Sequence, residues 1–260
     1  MRVTGYKIAA DGTGSGGEPE STRFIVLSDP RTGTPVAMID EHWSFALRTT
    51  ASACVGAKYL ARRDSSVVGV IGVGNMGRTF LLGARELFPI KEVWATSRRP
   101  ESRLAFAQRM SEELGVPVVA KDSYEEVCRG ADIIVTGTPS VTPFVRSEWL
   151  APGVFVAALG PDEVETEAYA TSDKIVVDYD REHEKHPRSL QRLTDLRPRG
   201  PDPVHAALWE VVTGRKPGRE RADERIILYT VGLTAHDVAI AHALYQRAVK
   251  EGAGIRIPLD

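Results

Sequence analysis

The stretch SVVGVIGVGNMGRTF, Ser66 to Phe80, limits the possible folds more than any other part of the chain. An apolar, β-branched run ends at Gly72, and Gly74 and Gly77 follow at the mouth of a segment with helical periodicity. Each glycine has a physical job in such a bend. The first allows a tight turn, the second lets backbone approach a pyrophosphate, and the third lets helix and strand pack closely. The anion would rest on the N–H groups of the helix N-terminus, here Asn75, Met76 and Gly77. Three glycines alone are weak evidence, so the context decides.

That context is a run of strands and helices. SVVGVIG, KEVWATS, PVVA, ADIIVTGT, VFVAALG and KIVVDY read as strands, and MGRTFLLGARELF and ESRLAFAQRMSEEL as helices between them. Such alternation implies right-handed crossovers and a parallel sheet, an α/β fold of the Rossmann type. Ahead of it, VTGYKIA, RFIVLSD and TPVAMID suggest short strands; ADGTGSGGEPEST reads as a mobile loop and DPRTGTP as a hairpin turn. A long helix covers HWSFALRTTASACVGAKYLARR, with Asp40 or Glu41 near its cap. The chain closes on RIILYTVG and a helix stopped by Gly252.

With 260 residues the chain can bury one large core or two modest ones. Its formal charge of −2, with lysine and arginine scattered, offers no footprint for nucleic acid or an acidic membrane. No apolar run approaches the roughly 20 residues that span a bilayer, and the N-terminus lacks a secretory apolar core. A cytoplasmic location is expected, with Cys54 and Cys128 as buried thiols.

The strand KEVWATS ends about 20 residues past the glycine bend, where NAD-binding chains offer an acid to the ribose hydroxyls. Here stand Ser97, Arg98 and Arg99. A hydroxyl followed by guanidinium groups suits a 2′-phosphate, so NADP(H) is expected ahead of NAD(H).

With the helix directly ahead of VIGVGNMG, the chain resembles the ornithine cyclodeaminase/mu-crystallin family. LSDPRTGTPVAMID is similar to that family's hairpin, and RTTASACVGAKYLA to its Arg-Thr helix, with Thr50 for an alanine. ADIIVTGTPSVTPFV and WLAPGVFVAALGPD resemble its strands leading to the nicotinamide, and YTVGLTAHDVAIAHALYQRA its closing helix. The resemblance implies a Rossmann domain inserted in a mixed domain built from both chain ends. Here that places residues 63–221 in the nucleotide domain, and 1–62 with 222–260 in a substrate-binding and dimerisation domain. A homodimer is implied as well. So is an NAD(P)-dependent oxidoreductase of a small amino acid or its imine, acting by hydride transfer at Cα.

By the same resemblance, Arg48 and Lys7 hold the substrate carboxylate and Asp162 stands beside its nitrogen, while Thr136, Thr138, Val231 and Gly232 join the cofactor site. The residue types suit these roles, because a planar guanidinium meets a carboxylate with two parallel hydrogen bonds. Helices and a further arginine would precede the Lys7 strand, so a shortened member is expected. Two other readings stay open: a cyclodeaminase that recycles its NAD internally, and a non-enzymatic NADPH-binding or inactive shortened paralogue. His183 and His186 are set aside as solvated rather than metal-binding, and no metal is expected.

Overall fold

The computed structural model describes residues 3–13, 19–160, 162–178, 187–196, 202–230 and 232–258. The chain divides into two compact units, 1–48 with 232–260, and 49–231.

The terminal unit is built on three antiparallel strands in the order β1 (Thr4–Thr13), β2 (Pro19–Ser28), β3 (Pro35–Asp40). Strands β1 and β2 pair from Thr4↔Ser28 to Thr13↔Pro19. The segment ADGTGSGGEPEST therefore belongs largely to the ladder, not to a loop. Cross-strand hydrogen bonds satisfy its backbone whatever the side chains, and residues 14–18 lie outside the described part. The β2–β3 turn is as expected: Gly33 has φ +74° and its N–H donates to Asp29 O at 2.8 Å. Ile25 and Leu27 pack with Ala37, Ile39, Val238, Ala241 and Tyr245, the last three from the closing helix Thr234–Glu251.

Helix α1 (His42–Leu60) opens where Asp40 Oδ1 accepts the His42 N–H at 3.0 Å. The Asp40 side chain thus supplies the capping bond, while Glu41, whose carbonyl accepts the Phe45 N–H at 2.8 Å, turns its own side chain inward. The residues of α1 up to Arg48 belong to the terminal unit.

The central unit continues with β4 (Val67–Ile71), α2 (Asn75–Ala84), β5 (Glu92–Thr96), α3 (Pro100–Leu114), β6 (Val118–Ala120), α4 (Tyr124–Gly130) and β7 (Ile133–Thr136). Then come β8 (Phe155–Ala158), α5 (Thr166–Ala170), β9 (Lys174–Val177), α6 (Arg188–Leu196), β10 (Ala206–Ala207), α7 (Leu208–Val212) and β11 (Ile226–Tyr229). The closing helix is α8. The strands form one parallel sheet in the order β10-β9-β11-β8-β7-β4-β5-β6. From β6 to β11 this is the doubly wound order, with its reversal between β4 and β7. β7, β8, β9 and β11 are buried along their whole length, as parallel strands covered on both faces must be. Phe80, Leu81, Phe106 and Met110 fill one layer; Ile134, Val156, Tyr169 and Leu190 fill the other.

The unit boundaries differ from the expected 62/63 and 221/222. β11 hydrogen-bonds between β8 and β9, so residues 222–230 belong to the central unit. Ala53, Ala57 and Leu60 of α1 are fully buried in its core, which moves 49–62 there too. Cys54 and Cys128 are free and buried, and burial pushes both thiols up to about 12. No helix among the described residues is long and apolar enough to cross a membrane.

Candidate functional site

In the central unit the glycine bend joins β4 to α2 at the carboxyl end of the sheet, where the strand order reverses. Such a crevice is where open α/β sheets hold ligands. Gly72 has φ +105°, and a Cβ there would lie 2.5 Å from Gly137 O, so only glycine fits. A Cβ on Gly77 would meet Gly72 O at 2.7 Å and Val70 Cγ1 at 2.8 Å, the close helix–strand packing expected of the third glycine. Gly74 differs. It is the N-cap of α2, with φ −90°, and a Cβ there would meet nothing within 4 Å. Backbone at Gly74 is thus open to a ligand, and Asn75 and Met76 begin the helix beneath it. These residues fit a dinucleotide's pyrophosphate.

At the end of β5 the Ser97 Oγ donates to Arg99 O at 3.1 Å, and Arg98 and Arg99 are exposed. Arg99 is the N-cap of α3, with Pro100 opening the helix. Arg103 ties the turn down, donating to Ser97 O at 3.1 Å and to Asp122.

At the end of β7 and just past it, Thr136 and Thr138 serve a residue the sequence reading passed over. Glu163 is buried, and its carboxylate accepts from Thr136 Oγ1 and Thr138 Oγ1 at 2.6 Å, and from Thr138 N and Gly160 N at 2.7 Å. Burial raises its pKa, and the four hydrogen bonds oppose that rise. The signal was an acid three residues past Gly160, readable only once the β7 and β8 ends are known to be neighbours. Asp162 is buried too. Its Oδ1 accepts from Ser189 N at 3.2 Å and Ser189 Oγ at 2.8 Å, in the first turn of α6.

In the terminal unit Lys7 and Arg48 converge. The Phe45 ring stands 4.8 Å from Lys7 Nζ, 4.6 Å from Arg48 Cζ and 5.2 Å from Arg23 Cζ. Two buried acids hold the cations: Lys7 Nζ lies 2.5 Å from Glu41 Oε1 and 3.6 Å from Asp237 Oδ2, and Arg48 Nε 2.6 Å from Asp237 Oδ1. Glu41 is fully buried and its carboxyl sits above the ordinary range. Burial is the main cause, Asp237 adds to it, and Lys7 opposes it. Gly232, with φ +82°, lies so close to Arg48 that a Cβ would collide with the guanidinium. The sequence reading named Glu41 only as a helix cap. No spacing rule links positions 7, 41, 48 and 237 before the strands are paired.

Val231, His183 and His186 lie outside the described residues. Among the described residues no group of three metal-ligating side chains is found.

A family model described as "Ornithine cyclodeaminase/mu-crystallin family" matches residues 3–252. The chain is 36% identical to the alanine dehydrogenase of Archaeoglobus fulgidus over 246 residues, covering 93% of this chain and 75% of the relative. Among solved structures it is similar to an archaeal alanine dehydrogenase dimer with bound NAD, with a TM-score of 0.88 and 34% identity over 100% of this chain and 82% of that one. It is also similar to the Thermococcus litoralis Δ1-pyrroline-2-carboxylate reductase in complex with NADH and L-proline, with a TM-score of 0.86, 30% identity, and coverage of 91% and 75%. Such agreement along nearly the whole chain is specific, and the protein belongs to the ornithine cyclodeaminase/mu-crystallin family.

Proposed function

We propose that the protein is a nicotinamide-dependent oxidoreductase acting on a small L-amino acid or its cyclic imine. The observation that carries this reading is the gathering of Lys7 and Arg48 on one ring, Phe45, in a chain that also carries the glycine bend. Two cations from β1 and α1 of the terminal unit suit a carboxylate, and the backbone amides at Gly74, Asn75 and Met76 of the central unit suit a pyrophosphate. The nicotinamide, when bound, supplies or accepts the hydride. The protein's own work is to hold the α-carboxylate with Lys7 and Arg48. Asp162 exchanges the proton at the substrate nitrogen, its side chain kept in one orientation by Ser189.

NADP(H) is the proposed preference. No acid ends β5, and Ser97, Arg98 and Arg99 offer hydrogen-bond donors and positive charge to a 2′-phosphate. A homodimer is the proposed assembly, supported by the exposure of Tyr6, Ile8 and Met38 on the three-stranded sheet.

The test is an assay of nicotinamide absorbance and ammonia over a panel of L-amino acids and cyclic imines, with both cofactors. Reduced cofactor should accumulate with an amino acid or be consumed with an imine. Ammonia release without net cofactor change would instead mark a cyclodeaminase. Cofactor binding with no turnover across the panel would overturn the enzymatic reading.

A further inference from the structure

The carboxylate end of the terminal unit contains more acid than an anion site needs. Glu41 is fully buried, accepts from Lys7 through Oε1, and its Oε2 finds no donor among the described residues. A buried carboxylate oxygen without a donor is costly, and the cost grows when a second anion arrives beside it. The carboxylate proposed for Lys7 and Arg48 is such an anion. It would draw on the ammonium that Glu41 already uses and add negative charge to a low-dielectric site.

Resting on the carboxylate-binding reading, we propose that Glu41 is a positioning residue that takes up one proton when a carboxylate binds at Lys7 and Arg48. The balance is simple: free protein, ligand carboxylate and one proton from solvent give a complex with neutral Glu41. No covalent bond other than the new O–H forms. Neutral Glu41 leaves the Lys7 charge to the ligand, and Oε2, the oxygen now lacking a donor, can carry the proton. Glu41 already sits above the ordinary carboxyl range before any ligand arrives, which lowers the cost of this uptake.

The charged groups around Glu41 are Lys7 on β1, Arg23 on β2, Arg48 on α1 and Asp237 on α8. Asp237 is itself paired with Arg48, 2.6 Å away. Arg23 contributes its backbone carbonyl to the Glu41 N–H at 3.0 Å and its guanidinium to the Phe45 ring. His42 is held by Asp40 at 2.7 Å, and His236 precedes Asp237. A proton taken by either histidine would survive removal of the Glu41 carboxyl.

The test uses the full chain with pyrrole-2-carboxylate, an aromatic carboxylate that is not a hydride-transfer substrate, and pyrrole-2-carboxamide as its neutral counterpart. Calorimetry in two buffers of unlike ionisation enthalpy counts protons at each pH. Wild type should take up close to one proton per carboxylate in a window above the ordinary glutamate range, where affinity falls up to tenfold per pH unit. The carboxamide should take up none. Glu41→Gln should bind the carboxylate with flat pH dependence and no uptake. Glu41→Asp, which keeps an acid, should restore uptake with a displaced window. Carboxylate binding without proton uptake in wild type would overturn the proposal, as would undiminished uptake in Glu41→Gln. A wild-type count of zero overturns the proposal even if neither variant folds. Failure of wild type to bind the carboxylate at all, with Lys7 and Arg48 intact, would instead remove the carboxylate-site reading and this inference with it.

Discussion

Arg48 Nε stands 2.6 Å from Asp237 Oδ1, both side chains buried, joining the first turns of α1 to the first turn of α8. The pair sets the guanidinium's direction, and Gly232 leaves it room. Asp237→Asn removes the carboxylate from a buried ion pair and is expected to destabilise the fold by about 3 kcal/mol. Urea unfolding measures this as a lower midpoint with an unchanged slope.

The glycine bend separates folding from cofactor binding. Gly74→Ala, at a permitted φ and with nothing within 4 Å, should leave the unfolding midpoint unchanged. It should weaken cofactor binding by about tenfold or more, because the methyl occupies the pyrophosphate's approach. Gly72→Ala meets a forbidden φ and a carbonyl at 2.5 Å, so it should lose stability as well. Fluorescence titration with reduced cofactor beside thermal melts distinguishes the two.

Cofactor preference is read at the end of β5. Arg98→Ala with Arg99→Ala should lower kcat/KM for NADP(H) by about tenfold or more, roughly 1.4 kcal/mol, and leave that for NAD(H) nearly unchanged. Equal losses with both cofactors would remove the 2′-phosphate role.

Glu163→Gln tests the knot between β7 and β8. Two backbone N–H groups, from Thr138 and Gly160, point at opposite oxygens of the carboxylate. Whichever way the amide turns, its NH2 faces one of them. A loss of about 1 to 3 kcal/mol is expected in chemical unfolding.

Stability should also report on Glu41. Its folded carboxyl holds a proton to higher pH than the ordinary 4.5, so the folded chain binds more protons than the unfolded one above that value. The stability tied to this group is complete below the ordinary range and is lost as pH rises through the folded value. Glu41→Gln should flatten that decline in unfolding midpoints taken from acid to neutral pH.

Much of this molecule is legible in its residues. Gly72 and Gly77 were readable because each answers a local steric demand. The acids were not. Glu41 looks like a side-chain helix cap until the Asp40 carboxylate is seen to make that bond, and Glu163 looks like a loop residue until β7 and β8 lie side by side. β11 was assigned to the terminal domain because its sequence adjoins α8. An apolar run of four residues does not say which neighbours it will have, and strand order is settled by packing of the whole sheet.

The placing of β11 has a consequence for synthesis. β8 and β9 are made well before the strand that lies between them, so a chain emerging from the ribosome holds two incomplete half-sheets with facing open edges. Only when residues 226–229 arrive can those edges be joined, and only with α8 is the apolar side of the small sheet covered. Truncation after residue 224 would thus expose unpaired strand edges in the middle of the molecule, which makes the nascent protein dependent on its last seventh for protection from aggregation.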